Sequence, residues 1–386
     1  MASGQTRLGS GAGGDSSPVE PNCRLGAPTV LVVGGAGYIG SVLVRDLLAD
    51  GYRVRVLDSL LAGGESIRGL EACRNFELVE GDLRRRQAMV EAAQGATAVI
   101  HLGALVGDPA CAADEEETVA TNLAAIPMLA AVARASGVTR FLFASTCSVY
   151  GAADHLVDER SPLNPVSLYA ATKRDAEKIL LAAQTPSFDP VVLRLASAFG
   201  WSPRPRFDLV VNLLTARAWF GRKIQICNAG QWRPFIHVSD ISRAFGLALE
   251  APVDAVGGEI FNVGSSAMNY TLGDLGEQIT RRYPGVSVGH VRDGDARSYR
   301  VGFDKFRDRL GFECRVGLAE GIAEVAAALG QGRIRDYRDS RYHNVELARR
   351  RAAAKTRDDF ELAPGAVLAP FQFDAPPIAG CEARGT

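Results

Sequence analysis

The sequence predicts an α/β fold built on a doubly wound parallel sheet, with a smaller, mixed lobe toward the C-terminus. The first observation is that short, uniformly apolar runs alternate with helix-length amphipathic segments between residues 29 and 143. Strands that are apolar on both faces must be covered on both sides, as in a parallel sheet flanked by helices. The second observation is that this alternation loosens after about residue 200 into short elements. A lobe that caps the carboxyl ends of the strands is therefore expected.

Strand-length apolar runs, rich in β-branched and aromatic side chains, recur through the first 200 residues. In order they are TVLVVG, RVRVLD, NFELVEGD, ATAVIHLG, RFLFAS and PVVLRLAS. The segments between them carry apolar residues at helical spacing, among them IGSVLVRDLLADG, a long helix near residues 114–136, and PVSLYAATKRDAEKILLAAQ, which opens near Pro165. Strands that are joined through helices run parallel, so this order predicts the doubly wound sheet.

Composition divides the 386 residues into four parts. Residues 1–27 are rich in Gly, Ser and Pro, which predicts a disordered leader. Residues 28–200 are predicted to form the large α/β domain, with later segments rejoining it, and residues 201–335 mainly the smaller lobe. Residues 336–386, first rich in Arg and then in Ala and Pro, are a C-terminal extension to which the sequence assigns no role.

The charge and the cysteine content argue against several classes of function. Lys and Arg number 43 against 44 Asp and Glu, so no global field predicts binding to nucleic acid or to an anionic membrane. The N-terminus has no apolar signal region, and no apolar run reaches the roughly 18 residues of a membrane span. The seven cysteines are scattered and include no CxxC pair, which favours reduced thiols over disulfides or a metal site. We therefore expect a cytoplasmic protein.

A glycine-rich turn, VVGGAGYIGSVL, follows the first predicted strand and opens the first helix. Gly34 permits the tight turn, Gly37 lets the backbone approach a pyrophosphate, and Gly40 lets the helix pack on the strand. The helix N-terminus favours the phosphate charge. The turn predicts a Rossmann-type dinucleotide site, with Tyr38 and Ile39 among the contacts. A glycine-rich turn without a ligand is the alternative.

Acidic residues end the next two predicted strands. Asp58 lies 18 residues after Gly40, where a carboxylate can accept both hydroxyls of an adenosine ribose. It would repel a 2′-phosphate, and no arginine immediately follows it, so the sequence favours NAD over NADP. Asp82 and Leu83 end the third strand where an adenine edge is expected, although a helix N-cap explains Asp82 equally well.

Tyr169 and Lys173 lie four residues apart in SLYAATKRDAEK, hence on one face of a helix. An ammonium beside a phenol favours the phenolate, so Lys173 is predicted to lower the pKa of Tyr169 and make it a base near neutral pH. Thr146, in ASTCSVYG, brings a hydroxyl to the end of a strand. The alternatives are that Tyr169 and Lys173 are an exposed pair on the helix surface, and that the Thr146 hydroxyl only hydrogen-bonds with the backbone.

These motifs, together with HLGA at 101–104 and Asn122, resemble the extended short-chain dehydrogenase/reductase family, specifically its NAD-dependent nucleotide-sugar epimerases and dehydratases. The resemblance runs from about residue 28 to 330 and includes RPFIHVSDISRA and FNVGS. It implies NAD as the cofactor and a nucleotide diphosphate sugar as the substrate. Leu102 is then expected at the cofactor, and Asn122 is expected to support the site.

The resemblance also implies a mechanism. Tyr169 takes a proton from a sugar hydroxyl while the ring C–H gives hydride to the nicotinamide. Thr146 hydrogen-bonds that hydroxyl, and Lys173 also binds the nicotinamide ribose. The 4-keto sugar turns about its diphosphate linkage, and hydride returns to the opposite face.

The substrate residues that the resemblance implies lie in the second half of the chain. Arg233 matches a diphosphate-binding arginine, while Arg292 and Asp295 match a second arginine and a ribose-binding acid, with Arg297 as an alternative to Arg292. Tyr299 matches a gatekeeper of the sugar pocket, and Asn212 an asparagine that faces the phosphates. Solvated surface charges and a helix-surface amide are the alternatives. His237 is expected to be a core histidine.

The two residues after Thr146 separate the activities within this family. The 4,6-dehydratases carry Asp-Glu there, and the UDP-glucuronate decarboxylases a glutamate at the second position, whereas this chain has Cys147 and Ser148. An epimerase is therefore expected. Cys147 is a further candidate as an acid or base, which leaves open a dehydratase or a ring-carbon epimerase. A nucleotide-sugar oxidoreductase and a non-catalytic NAD-binding scaffold are the remaining alternatives. The resemblance also implies a homodimer, formed by the helix near residues 114–136 and the helix of Tyr169.

Overall fold

The computed structural model describes residues 27–292, 294, 295 and 297–354. The predicted leader up to residue 26 and the C-terminal extension after residue 354 lie outside the described residues. The strands are β1 Thr29–Val33, β2 Arg53–Asp58, β3 Phe76–Glu80, β4 Ala96–His101, β5 Arg140–Thr146, β6 Ala152–Val157, β7 Asp189–Leu195, β8 Ser197–Phe199, β9 Lys223–Cys227, β10 Trp232–His237, β11 Ile260–Val263, β12 Asn269–Thr271, β13 Ser287–Val291 and β14 Ser298–Val301.

The α-helices are α1 Gly40–Ala49, α2 Arg86–Ala93, α3 Asp108–Ala113, α4 Glu115–Val119, α5 Ile126–Ala135, α6 Leu168–Ala182, α7 Val210–Gly221, α8 Val238–Glu250, α9 Val253–Val256, α10 Leu272–Arg282, α11 Asp304–Leu310, α12 Leu318–Gly330 and α13 Asn344–Ala354. A π-helical segment, Ala120–Ala124, joins α4 to α5. Short 3₁₀ turns follow β5 and precede α13.

The central sheet has seven parallel strands in the order β11-β7-β5-β4-β1-β2-β3. Every residue of β5 and β7 is buried because helices cover both faces of the sheet. One apolar core, which includes Leu43, Leu47 and Phe245, lies between the sheet and the helices α1 and α8. A second core, which includes Ile126 and Leu129, lies on the other face. The predicted doubly wound parallel sheet is confirmed.

The order of the strands places a crevice at one edge of the sheet. β1 pairs with β2 on one side and with β4 on the other, so the chain winds outward in both directions from this point. The loops that leave the carboxyl ends of β1 and β4 therefore part and leave a crevice between them.

The long helix predicted near residues 114–136 is present, and much of it is apolar. Among the residues that the structure describes, the continuous helix Glu115–Ala135 is long and apolar enough, by length and composition, to cross a membrane. Its most apolar window is 56% buried inside the fold, where α5 packs on α2 and α6, as in the core helix of a soluble protein. The absence of a membrane partner stays a prediction.

The smaller lobe is built from short sheets and the helices α7, α10 and α12. β9 pairs with β13, and β8, β10 and β12 form a three-stranded sheet. A separate apolar cluster fills this lobe. After α12 the chain turns back, and α13 packs against α3 of the large domain. The part of the C-terminal extension that is described thus returns to the crevice.

Candidate active site

A cavity fills the crevice and collects most of the predicted site residues. Predicted residues that line it are Gly34, Gly37, Tyr38, Ile39, Gly40, Asp58, Asp82, Leu83, Leu102, Thr146, Tyr169, Lys173 and Tyr299. Predicted residues that do not line it are Asn122, Cys147, Asn212, Arg233, Arg292 and Asp295. The residues predicted to bind the cofactor and those predicted to transfer protons therefore mostly line one cavity. Most of the residues predicted to bind the substrate do not line it.

The glycine turn has the shape that close approach of a ligand requires. Gly34 has φ +87°, and a Cβ there would lie 2.7 Å from the main-chain nitrogen of Gly103. A Cβ on Gly40 would collide with the carbonyl oxygen of Gly34, because α1 begins against the turn. These positions need glycine, and they leave the backbone at the N-terminus of α1 facing the cavity.

Asp58 ends β2 beside this turn. Its carboxylate oxygens accept hydrogen bonds from the main-chain amides of Ala36 and Leu60, both at 2.9 Å. Burial raises the pKa of Asp58 although these two bonds and the nearby Arg204 act in the other direction. The carboxylate is held rigidly at the cavity wall, where it can accept hydrogen bonds from ribose hydroxyls.

Asp82 lies at the far end of the cavity in a cluster of charges. It accepts hydrogen bonds from the Arg84 guanidinium and main chain, and Arg351 of α13 donates to it at 3.0 Å. Burial would raise the pKa of Asp82, but these arginine contacts outweigh it and lower the pKa to about 2. The N-cap of α2 is Arg85, so Asp82 is not that cap.

Thr146, Tyr169 and Lys173 come together at the floor of the cavity. Thr146 ends β5, while Tyr169 and Lys173 follow the N-cap Ser167 in the first turns of α6. The Thr146 hydroxyl accepts a hydrogen bond from the main-chain amide of Ser148 at 3.1 Å, and it acts on the Tyr169 phenol in the direction that lowers the pKa of Tyr169. All three side chains line the cavity, as the sequence predicts.

The predicted effect of Lys173 on Tyr169 is not what the structure shows. Burial raises the pKa of Tyr169, and Cys111 and Asp108 raise it further. The Lys173 ammonium donates instead to the carbonyl oxygen of Ala144 at 2.9 Å, and burial lowers its pKa to about 8. The groups that act to lower the pKa of Tyr169 in this arrangement are the Arg206 guanidinium and the Thr146 hydroxyl, not Lys173.

Cys147 does not face the cavity, which corrects its candidacy as an acid or base. The chain enters a 3₁₀ turn after Thr146, and the turn directs the Cys147 thiol into the core, where it is 1% exposed. The thiol donates to the carbonyl oxygen of Arg194 at 3.3 Å, and burial raises the pKa of Cys147. Ser148 faces the cavity instead, and its hydroxyl lies 3.2 Å from that of Tyr299.

Two predicted asparagines hold loops and are not aimed at ligands. The Asn122 amide exchanges two hydrogen bonds with the main chain of Leu105, at 2.8 and 2.9 Å. The Asn212 amide bonds to the main chain of Gly200 and Arg206. Both side chains are fully buried, so their role is to position the loops that carry the cavity wall.

Of the two arginines considered for the second substrate cation, the alternative, Arg297, reaches the cavity, and the preferred Arg292 does not. Arg292 is exposed, whereas Arg297, the alternative in the sequence, lines the cavity. Arg297 pairs with Asp295 and with Asp108. Arg233 pairs with the same Asp295 at 3.1 Å just behind the wall. His237 is a buried histidine bonded to Ser239 and Glu324, as expected for the core.

Sequence reasoning missed a group of polar residues that line the cavity: Asp108, Arg204, Arg206, Asn344 and Arg351. Asp108 and Cys111 lie on α3, where the sequence GDPAC attracts attention only as a turn signal. The two arginines lie in SPRPRF, a basic run that a solvated loop would explain equally well.

The residues in the crevice fit NAD. The glycine turn is so tightly packed that a Cβ at Gly34 or Gly40 would collide with neighbouring backbone, and Asp58 provides a carboxylate for the adenosine ribose. Tyr169 and Lys173 lie where the nicotinamide half would extend. Among the described residues, no cluster of three or more His, Cys, Asp or Glu side chains could hold a metal ion.

Comparisons with known proteins show the family of this chain. The sequence model of the NAD dependent epimerase/dehydratase family matches residues 30–264. A dTDP-glucose 4,6-dehydratase of Streptomyces niveus is 30% identical over 81% of this chain and 93% of the relative. A UDP-glucose 4-epimerase of Mycolicibacterium smegmatis is 32% identical over 76% of this chain and 96% of the relative.

Solved structures resemble the fold over the same range. MoeE5 in complex with UDP-glucuronic acid and NAD has a TM-score of 0.69 and 29% identity, covering 79% of this chain and 99% of MoeE5. Epimerases and dehydratases match at similar identity, so the similarity shows the family and its NAD cofactor without separating the two activities. The chain is an NAD-dependent enzyme that belongs to the NAD dependent epimerase/dehydratase family, the nucleotide-sugar branch of the extended short-chain dehydrogenases/reductases.

Proposed function

We propose that the protein is an NAD-dependent epimerase of a nucleotide diphosphate sugar, acting through transient oxidation at C4 to a 4-keto intermediate. The supporting observation is the composition of the cavity floor. Thr146 and Tyr169 both line that floor, while the two residues after Thr146 are a buried thiol and a serine. Oxidation at C4 needs only the hydroxyl pair and the cofactor, and these residues provide no Asp-Glu pair for loss of water.

The residues act on the substrate in a defined order. Tyr169, as the phenolate, accepts the proton of the C4 hydroxyl, and the Thr146 hydroxyl hydrogen-bonds to the same oxygen. NAD, when bound, would supply the hydride acceptor and donor for C4, and its oxidised nicotinamide would add a positive charge that favours the Tyr169 phenolate. After the ring has turned about its diphosphate linkage, Tyr169 returns the proton to the C4 oxygen. The net change is inversion at C4, with the cofactor restored.

The diphosphate requires cations, because buried phosphate charges without partners are prohibitive in energy. Arg297 lines the cavity and is the first candidate. Arg233 lies behind it and shares the Asp295 carboxylate. Tyr299 is buried between Ser148 and Arg233, and it bounds the sugar pocket on this side.

A second candidate is 4,6-dehydration, and one observation favours it. Asp108 lines the cavity, raises the pKa of Tyr169, and has one carboxylate oxygen, Oδ1, without a hydrogen-bond partner among the described residues. Removal of water across C5 and C6 needs an acid for the leaving hydroxyl and a base for the C5 proton. Asp108 is one carboxylate and its other oxygen is paired with Arg297, so epimerisation remains the better-supported proposal.

The test is incubation of the purified protein with UDP-glucose, UDP-galactose, their uronic acids, and GDP- and dTDP-sugars in deuterated water, followed by NMR. Epimerisation inverts C4 without deuterium at C5, whereas dehydration or ring-carbon epimerisation through a 4-keto intermediate introduces deuterium at C5. Net formation of NADH in proportion to product would indicate an oxidoreductase. If every sugar stays unchanged although NAD is bound, the scaffold alternative replaces the proposal.

The assembly and location of the protein are also proposals. The π-helical segment Ala120–Ala124 and the helix α5 both pack on α6. Apolar side chains on this helical face, such as Leu123 and Met128, are only partly buried. We propose that this helical face forms a homodimer, which sedimentation analysis can test. A cytoplasmic location is supported by the free thiols of four described cysteines, which are Cys73, Cys111, Cys147 and Cys314.

A further inference from the structure

The loop 200–206 lies directly on the glycine turn that begins the dinucleotide site. The Tyr38 hydroxyl donates to the carbonyl oxygen of Gly200 at 2.8 Å, and the Ser202 hydroxyl donates to the carbonyl oxygen of Tyr38 at 2.6 Å. The Ser41 and Ser202 hydroxyls are 3.0 Å apart. These contacts fix the loop beside the N-terminus of α1, where the glycine turn holds a pyrophosphate in this class of site.

Arg204 follows two residues after Ser202 and lines the cavity with 8% of its surface exposed. Its Nε has no hydrogen-bond partner among the described residues. Burial, together with the neighbouring Arg206, lowers the pKa of Arg204 to about 10 although the Asp208 and Asp58 carboxylates act in the other direction, so the guanidinium is still charged at neutral pH. A buried charge of this kind requires an anion.

The other two arginines of this wall already have carboxylate partners. Arg206 makes two hydrogen bonds to Asp208, both at 2.9 Å. Arg351 pairs with Asp82 at 3.0 Å and with Glu117 at 2.9 Å. The structure shows no ion pair for Arg204 among the residues that it describes, and its guanidinium donates to a neutral amide.

That amide belongs to Asn344, the first residue of α13. Its Oδ1 accepts from Arg204 at 2.7 Å, and its Nδ2 donates to the carbonyl oxygen of Val106 at 3.2 Å. Its main-chain amide donates to Asp208 at 3.2 Å. Asn344 thus joins the loop after β4 to the loop that carries Arg204. Arg351, two turns further along α13, fastens the same helix to Asp82 at the adenine end.

We infer that Arg204 binds the pyrophosphate of NAD, and that α13 is part of the cofactor site because Asn344 holds the Arg204 guanidinium in place. The helix N-terminus and the glycine turn supply main-chain donors to the pyrophosphate, and Arg204 adds a charged donor from the adjoining loop. The helix α13 covers the cavity from that side and slows release of the cofactor. This inference rests on the use of NAD and not on the direction of the sugar chemistry.

The experiment measures retention of NAD in the purified holoenzyme. Protein is diluted into buffer that contains an enzyme able to consume free NAD, and the nucleotide still bound is quantified by chromatography over time. Arg204→Gln should lose NAD at least about tenfold faster than the wild type, since it removes a charged hydrogen bond. Asn344→Ala should lose NAD about threefold to tenfold faster, because Arg204 keeps its charge but not its position. Arg204→Lys should fall between the wild type and Arg204→Gln.

The matched control is Arg349→Ala on the same helix. Arg349 is 64% exposed and pairs with Glu346. Arg349→Ala should lose NAD at a rate within twofold of the wild type. If substitutions acted by weakening α13 in general, Arg349→Ala would also lose NAD faster. The double variant Arg204→Gln/Asn344→Ala should lose NAD no faster than Arg204→Gln alone, because Asn344 acts through the guanidinium.

A second readout separates the cofactor from the substrate diphosphate. Calorimetric titration with UDP should give the same affinity for Arg204→Gln as for the wild type within twofold. Wild-type retention of NAD in Arg204→Gln, or a loss of UDP affinity with NAD retained, would overturn the inference. Should Arg204→Gln not fold, a wild-type rate for Asn344→Ala would contradict it just as directly.

Discussion

The substitution Glu177→Gln is the sharpest test of how the catalytic floor is supported. Glu177 lies on α6, the helix of Tyr169 and Lys173, and its carboxylate pairs with Arg194 of β7 at 2.7 Å. The side chains of Arg194 and Glu177 are 3% and 2% exposed. The Ser145 hydroxyl also donates to this carboxylate, one residue before Thr146. The ion pair therefore joins α6 to the two strands beneath the cavity.

The expected loss of free energy of unfolding follows from the buried Arg194 charge, which the substitution leaves without its carboxylate partner. Burial alone would lower the pKa of Arg194, but the pairing with Glu177 raises it, so the guanidinium stays charged in the core. A neutral amide at residue 177 leaves that charge buried without a counter-charge. Breaking a buried pair from one side costs about 3–5 kcal/mol. We expect the free energy of unfolding to fall by about this amount.

The assay is urea unfolding at a fixed, saturating concentration of NAD, so that cofactor binding contributes equally to each variant. The matched control is Glu277→Gln, which removes the helical pair between Glu277 and Arg281. Both of those side chains are 69% exposed, and the loss should be about 0.5 kcal/mol or less. A double variant Glu177→Gln/Arg194→Met should cost less than the sum of the single substitutions. A loss of under about 1 kcal/mol for Glu177→Gln would refute the reasoning.

Three further predictions concern the chemistry of the cavity. Tyr169→Phe should lower the rate of C4 oxidation by at least about 10²-fold in a sugar assay, with NAD still bound, because it removes the proton acceptor. Burial lowers the pKa of Lys173 from 10.5 to about 8, so the unfolded chain binds more protons than the folded chain between those two pH values. Wild-type stability should therefore gain a contribution from Lys173 as the pH rises from about 8 to 10, and urea unfolding of Lys173→Met should lack it. Arg297→Ala should weaken UDP binding in calorimetry by about tenfold or more, while Arg292→Ala should leave it within twofold.

The parts of the site that rest on local chain geometry could be predicted from the sequence. A tight turn needs glycine at Gly34 whatever surrounds it, and a four-residue spacing places Tyr169 and Lys173 on one helical face in any helix. Strands buried on both faces are apolar throughout, so the parallel sheet is also visible in the pattern. Because parallel strands end at one edge, Thr146 and Asp58 could be assigned to one crevice before any coordinates.

The direction of individual side chains was decided only by the tertiary structure. A 3₁₀ turn after β5 rotates Cys147 into the core and Ser148 into the cavity, and no periodicity in the sequence reports that rotation. Arg292 and Arg297 have the same chemistry, and only the path of the chain into β14 brings the second one to the cavity. The side-chain amide of Asn212 could donate a hydrogen bond to a phosphate or to the backbone, and in the structure it donates to the carbonyl oxygen of Gly200.

The role of α13 depends on contacts between positions far apart in the chain. Asn344 meets Arg204, and Arg351 meets Asp82, across 140 and 269 residues respectively. A basic run near the C-terminus looks like a solvated surface when it is read alone, because its charges find their partners only after the chain has returned to the sheet. The sequence by itself determined the sheet, the cofactor turn and the catalytic helix, since each is encoded within a few neighbouring residues. The cavity wall that α13 and the loop of Arg204 form was decided by tertiary packing, since it is assembled from separate segments.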